Sequence, residues 1–99
     1  MARKLSALGH PVRLAILRQL SERDACCCKD IVGRLDLAQS TVSQHLKVLV
    51  DAGIVVYAPD RQRSRYSVDR RSLVQFARTF EAMLGRCCAE SACGGGVED

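Results

Sequence analysis

A mainly α fold carrying one β-hairpin is what this sequence predicts, and three observations predict it. Several stretches space their apolar residues three and four apart, the repeat that lines one side of a helix. Only two tetrads rich in β-branched and aromatic residues occur, Ile54-Val55-Val56-Tyr57 and Arg65-Tyr66-Ser67-Val68, and turn-forming residues separate them. The 99 residues are 47% hydrophobic and 26% charged. That is the composition of one globular core, in a chain too short for a two-domain enzyme.

The elements follow in order. Arg3 to Leu8 predicts a short helix stopped by Gly9, and Pro11 then suits a first helical turn, where an N–H has no partner in any case. From there Val12, Ile16 and Leu20, widened by Leu14 and Leu17, predict a second helix packed on one side, with Arg13 and Arg18 in water. Lys29 to Leu35 predicts a third helix, and Asp36-Leu37-Ala38 a tight connection into a fourth from about Gln39 to Ala52, which Gly53 can end as its C′ residue.

This last pair has the layout of a helix-turn-helix. At about 100° per residue the fourth helix collects Val42, Leu46, Leu49 and Val50 on one face and Ser40, Ser43, Gln44 and Lys47 opposite. Short hydroxyls and long hydrogen-bonding side chains of that kind reach base edges and phosphates in a major groove. Gln39, Ser40, Thr41, Ser43, Gln44 and Lys47 are therefore the candidate DNA-reading residues. In the hairpin that follows, Arg61, Arg63 and Arg65 alternate and so share one side of an extended ribbon, suited to gripping a phosphate backbone. The net charge of the chain is +4, and the cations collect around this helix and hairpin while residues 72–99 carry more acids than bases. A helix-turn-helix followed directly by a basic hairpin is a winged helix-turn-helix, and double-stranded operator DNA is the expected partner.

A last helix runs from about Arg71 into the 80s, with Leu73, Phe76, Ala77, Phe80 and Leu84 in one apolar stripe. So small a domain has little core to cover that stripe, which is expected to meet a second copy in a homodimer, with the first short helix beside it. Residues 1–88 read as one DNA-binding and dimerisation domain, and 89–99 as a short flexible tail carrying Cys93 and Gly94-Gly95-Gly96. No apolar run is long enough for a membrane span or a signal core, so a cytoplasmic protein without a membrane partner is expected. Enzyme chemistry finds no nucleophile–base–orienter set, phosphate loop, cofactor motif or Cys-x-x-Cys.

Three stretches together carry a resemblance: Ala7-Leu8-Gly9-His10-Pro11-Val12-Arg13-Leu14-Ala15-Ile16-Leu17, Gln39-Ser40-Thr41-Val42-Ser43-Gln44-His45-Leu46-Lys47-Val48-Leu49, and Ala52-Gly53-Ile54-Val55. Over residues 3–85 the chain resembles the ArsR/SmtB family of bacterial metal-responsive repressors. The resemblance implies a winged-helix homodimer that sits on a palindromic operator and leaves it when a metal or metalloid binds. Two positions depart from the family pattern: His10, where many members carry Asp, and Ala38, where a Ser commonly caps the recognition helix.

The donors argue for the effector. Imidazole-rich family sites need two or more histidines with carboxylates, whereas this chain has two histidines in all, and His10 and His45 sit where capping or core roles are expected. Sulfur remains, and thiolates select soft ions, with trivalent arsenic or antimony preferring three sulfurs in a pyramid. Extending the last helix places Cys87 and Cys88 at about −40° and about +60° from the apolar stripe. Both can lean on one ion, and Cys93 joins them where the helix ends near residues 89–92. The resemblance supports this trio, since one arsenic-responsive branch carries a vicinal pair and a third cysteine in the same tail. Second choice is Cys26, Cys27 and Cys28, near the Cys-x-Cys-Asp of another branch though with Lys29 intervening, or a mixed site. Structural cysteines, a redox or reactive-sulfur switch, and a soft divalent ion such as cadmium or lead are the alternatives.

Overall fold

His10 opens the main helical layer by capping: its backbone is extended and its Nδ1 accepts the Val12 N–H at 3.1 Å, directly ahead of Pro11 at the first helical position. The computed structural model describes residues 1–23, 28–59 and 64–89. Within them the chain forms α1 (Ala2–Leu8), α2 (Pro11–Ser21), α3 (Cys28–Val32), α4 (Gln39–Asp51), β1 (Val55–Ala58), β2 (Arg65–Val68) and α5 (Arg70–Ala89). The expected mainly α fold with one antiparallel hairpin is present.

Ile16 and Leu20 of α2, Ile31 of α3, and Val42, Leu46 and Leu49 of α4 lose all solvent contact and make the core. Leu35 and Leu37 pack against it from the connection between α3 and α4. That connection corrects one expectation. α3 stops at Val32, since Gly33 disfavours helix and the amides of Arg34 and Leu35 fold back on Ile31 in a tight turn. Two side-chain expectations for α2 also fail: Leu14 is 41% exposed, at the rim of the stripe, and Arg13 is half-buried instead of wet.

Gly53 ends α4 as expected, with φ +81, and the ending is a complete Schellman motif. The Gly53 N–H donates to the carbonyl of Val50 and the Ile54 N–H to that of Leu49, both at 3.0 Å. Ile54 is thereby occupied by the helix end, so β1 starts at Val55, one residue later than its side-chain pattern suggests. Tyr57 pairs with Tyr66 across the hairpin, ring centroids 5.2 Å apart, and Val55 with Val68.

Asp69 caps α5 through Oδ1, which accepts the Ser72 N–H at 3.1 Å. The helix then runs 20 residues, a length of about 30 Å at the usual rise per residue. It contains no buried residue. Leu73, Phe76, Phe80 and Met83 are half-covered, while Val74 and Leu84 remain 50% and 44% exposed. Because this helix projects from the body, the radius of gyration reaches 16.5 Å. A closed domain of similar length has a value of roughly 13 Å.

Candidate nucleic-acid interface and thiol positions

The burial of α4 is one-sided, and its other side is the candidate interface. Val42, Leu46 and Leu49 are fully covered, whereas Gln39, Ser40, Ser43, Gln44 and Lys47 are exposed and Thr41 is half-buried. A face of hydroxyls, two amides and an ammonium therefore stands free of any packing partner among the described residues. Lys47 makes an i,i+4 ion pair with Asp51 at 3.6 Å, with the two side chains 76% and 63% exposed. Such a pair is worth little in water and yields readily to a phosphate. The start of α4 is as the sequence suggests: Ala38 occupies the N-cap and makes no side-chain bond, so its carbonyl alone serves Thr41 and Val42.

On the hairpin, Arg65 pairs opposite Ala58 and lies on the face away from Val55 and Val68, exposed to solvent. Arg61 and Arg63 lie outside the described residues. Tyr57 Oη and Ser64 Oγ are 2.7 Å apart across the base of the turn. Burial, then Cys28 and Tyr57 nearby, push the Tyr66 hydroxyl up from its ordinary pKa. Three further arginines extend the basic surface along the first half of α5. Arg70 donates to the Ser21 carbonyl at 3.2 Å, and Arg70, Arg71 and Arg78 border a shallow cleft floored by Val74 and Gln75.

The sulfurs are divided. Cys87 and Cys88 are exposed near the end of α5, on the continuation of its apolar side, and Cys28 is half-buried against the core at the start of α3. Cys93, Cys26 and Cys27 lie outside the described residues, so each candidate trio is described only in part. Among the described residues no three His, Cys, Asp or Glu side chains gather closely enough to hold a metal ion.

Neither histidine is free for ligation in the way a metal site needs. His10 Nδ1 is engaged as the cap of α2, and His45 Nδ1 accepts from Arg13 at 3.2 Å. Burial, then His10, then Arg13 lower the pKa of His45, which keeps it neutral. Its link to Arg13 and the Asp69 cap carry no signature in the apolar spacing. Met83 does, standing three residues beyond Phe80 and seven beyond Phe76 on the covered side of α5.

Known proteins bear on this arrangement. Residues 10–57, from the cap of α2 to β1, match the model of the bacterial regulatory protein arsR family. The regulator YgaV of Escherichia coli is 33% identical over 77 residues, which cover 78% of this chain and 78% of that protein. The chain belongs to the arsR family. Among other relatives, the repressor SmtB of Mycobacterium tuberculosis is 49% identical over 51 residues, 52% of this chain and 37% of SmtB. The arsenical resistance operon repressor of Bacillus subtilis is 36% identical over 52 residues, 52% of this chain and 50% of the repressor. The chain thus spans half or less of those two relatives. The crystal structure of a possible transcriptional regulator for arsenical resistance superposes with a TM-score of 0.73 at 25% identity, covering 81% of this chain and 82% of that one. The match reaches beyond the helix-turn-helix into the hairpin and α5, and it bears out the winged helix-turn-helix expected from the residues. These relatives are named as regulators and repressors, not enzymes.

Proposed function

We propose that the chain is a homodimeric, DNA-binding transcriptional repressor of the cytoplasm that releases its operator when trivalent arsenic or antimony is captured by cysteine thiolates. The observation that carries it is the free polar face of α4 set directly against a fully buried apolar one, followed in sequence by a hairpin bearing arginines. Gln39, Ser40, Thr41, Ser43, Gln44 and Lys47 approach base edges and phosphates of the major groove; Arg61, Arg63 and Arg65 hold the flanking backbone. Two copies joined along α5, with α1 beside it, set two reading helices against half-sites about one duplex turn apart.

For the inducer, Cys87 and Cys88 supply two of three sulfurs on an exposed helix end, and Cys93 of the 89–99 tail the third. Arsenous acid and three thiols exchange three As–O bonds for three As–S bonds and release three waters. A site there adjoins the helix that joins the subunits, while residues 1–88 carry both reading and dimerisation. The metalloid therefore binds more tightly to a subunit arrangement whose reading helices no longer match the half-sites, by the coupling free energy. Cys26, Cys27 and Cys28 are the second choice of ligands.

Arsenite added under reducing conditions to the protein on a labelled duplex should lower the anisotropy to that of free DNA. Cys87→Ser, Cys88→Ser and Cys93→Ser should each abolish release while leaving DNA affinity in place. Unchanged anisotropy in the wild type refutes arsenic sensing, and release lost only in a Cys26/27/28 variant moves the site. The exposure of both Cys87 and Cys88 also suits a thiol oxidation switch. Release by peroxide or polysulfide but not by arsenite selects that reading.

A further inference from the structure

One guanidinium joins three helices. Arg13, in the first turns of α2, donates from Nε to Nδ1 of His45 on α4 at 3.2 Å, and from Nη1 to the Ala7 carbonyl oxygen at 3.4 Å. Ala7 is buried, only 2% exposed. It lies in the last turn of α1, where helix carbonyls lack an amide partner from their own helix. His10 braces the arrangement, its ring centroid 4.6 Å from that of His45 with the planes at 54°. An imidazole whose Nδ1 accepts carries its proton on Nε2, so the bond from Arg13 selects one tautomer of neutral His45.

The position of His45 gives the bond its use. It sits on the flank of α4, between Gln44 on the exposed face and fully buried Leu46. Apolar packing is non-directional and leaves a helix some freedom to roll, whereas a hydrogen bond on the flank does not. A roll of about 20° moves side-chain atoms at a helix surface, about 5–6 Å from the axis, by about 2 Å. Base-edge hydrogen bonds tolerate only a few tenths of that distance.

We infer that Arg13 is a positioning residue for operator recognition: through His45, it fixes the roll of α4 and so the register of Ser43, Gln44 and Lys47 in the groove. The assignment rests on reading α4 as the element that enters DNA.

The test compares two duplexes by anisotropy, one selected from a random pool by the wild-type protein and one of random sequence and equal length. Arg13→Ala weakens binding to the selected duplex about tenfold, as expected when one base-edge hydrogen bond falls out of register, and to the random duplex less than about twofold, since phosphate contacts do not depend on register. His45→Asn places an amide oxygen close to where Nδ1 lies and holds the selected-duplex affinity within about twofold. It also keeps that affinity as the pH falls from about 7.5 through the lowered folded-state pKa of His45, whereas the wild type loses it there because a protonated Nδ1 no longer accepts. The charged and titratable groups acting on that ring are His10 and Arg13, from the start of α2. Equal losses of Arg13→Ala on both duplexes overturn the assignment, and a wild type that selects no duplex overturns the DNA reading beneath it. Imidazole nitrogen NMR of the free protein keeps the matter decidable should Arg13→Ala unfold. His45 in the Nε2–H form in the wild type and in mixed forms in Arg13→Lys supports the inference, while one unchanged tautomer in both overturns it.

Discussion

Ala38 leaves the start of α4 with a cap residue that has nothing to offer but its carbonyl. A serine oxygen in that place accepts one of the first-turn amides, so Ala38→Ser is expected to stabilise the protein by about 1 kcal/mol, or about 4–8 °C in Tm for a domain of this size. A thermal scan checks it, and an unchanged Tm means that those amides already have partners. His45 makes the second prediction at this scale. Its pKa is lowered in the folded protein from the usual imidazole value of 6.5, by burial first and then by His10 and Arg13. Between the two values the unfolded chain binds more protons than the folded one, so stability rises with pH through that window. The contribution is complete above about pH 6.5 and is lost as the pH falls toward the folded value. Urea midpoints from about pH 5 to about 7.5 should decline on the acid side in the wild type and decline less in His45→Asn. Parallel curves for the two proteins would assign the acid loss to other groups.

Gly53 sets the direction in which the chain leaves α4 for the hairpin. An added Cβ there meets the far end of the Lys4 side chain at 3.4 Å and Ser72 Oγ at 4.0 Å, so space is no obstacle, but φ +81 is a conformation that L side chains rarely adopt. Gly53→Ala should cost about 1–2 kcal/mol, and Gly53→Asn less, by chemical denaturation. A neutral Ala substitution would show that the Schellman turn has rearranged. The same turn shows what apolar spacing can and cannot convey. α2, α4 and β2 match their spacing because in each a buried or half-buried stripe decides the conformation, as with Ile16 and Leu20 or Leu46 and Leu49. Ile54 looks like strand by side chain, yet its amide belongs to the helix end, and such a claim on the backbone leaves no mark in hydropathy. The end of α3 was equally hidden, because Leu35 continues the apolar pattern while packing from a turn. The polar face of α4 was legible from the same periodicity that marked its core. The Arg13–His45 bond was not, since it joins residues 32 positions apart and makes half-buried a side chain that looks like solvated charge.

At the scale of the whole molecule the decisive element is α5. Its 20 residues include no buried one, although Phe76 and Phe80 stack at 5.9 Å and the apolar side runs on through Leu84 to the cysteine pair. Helices in proteins owe most of their stability to packing, so a helix this long with its apolar side half open is expected to be covered by something. A second copy is the economical cover, because a two-fold axis along the helix sets like against like and closes the assembly at two. Leu84, 44% exposed and not among the residues that pack on the core, is then expected to belong to the subunit contact. Leu84→Lys keeps the helix propensity, since Leu and Lys rank closely, and places an ammonium where the partner's apolar side would lie. Sedimentation of the wild type should give twice the 10.9 kDa chain mass and Leu84→Lys the single mass, with the helical content and the core unfolding of the monomer largely kept. Binding to a palindromic duplex should fall steeply in the variant, because each half-site is then held separately, while binding to a single half-site changes little. A Leu84→Lys protein that still sediments at twice the chain mass would mean that the two copies meet elsewhere, and the proposed coupling between Cys87, Cys88 and DNA release would then need a different route.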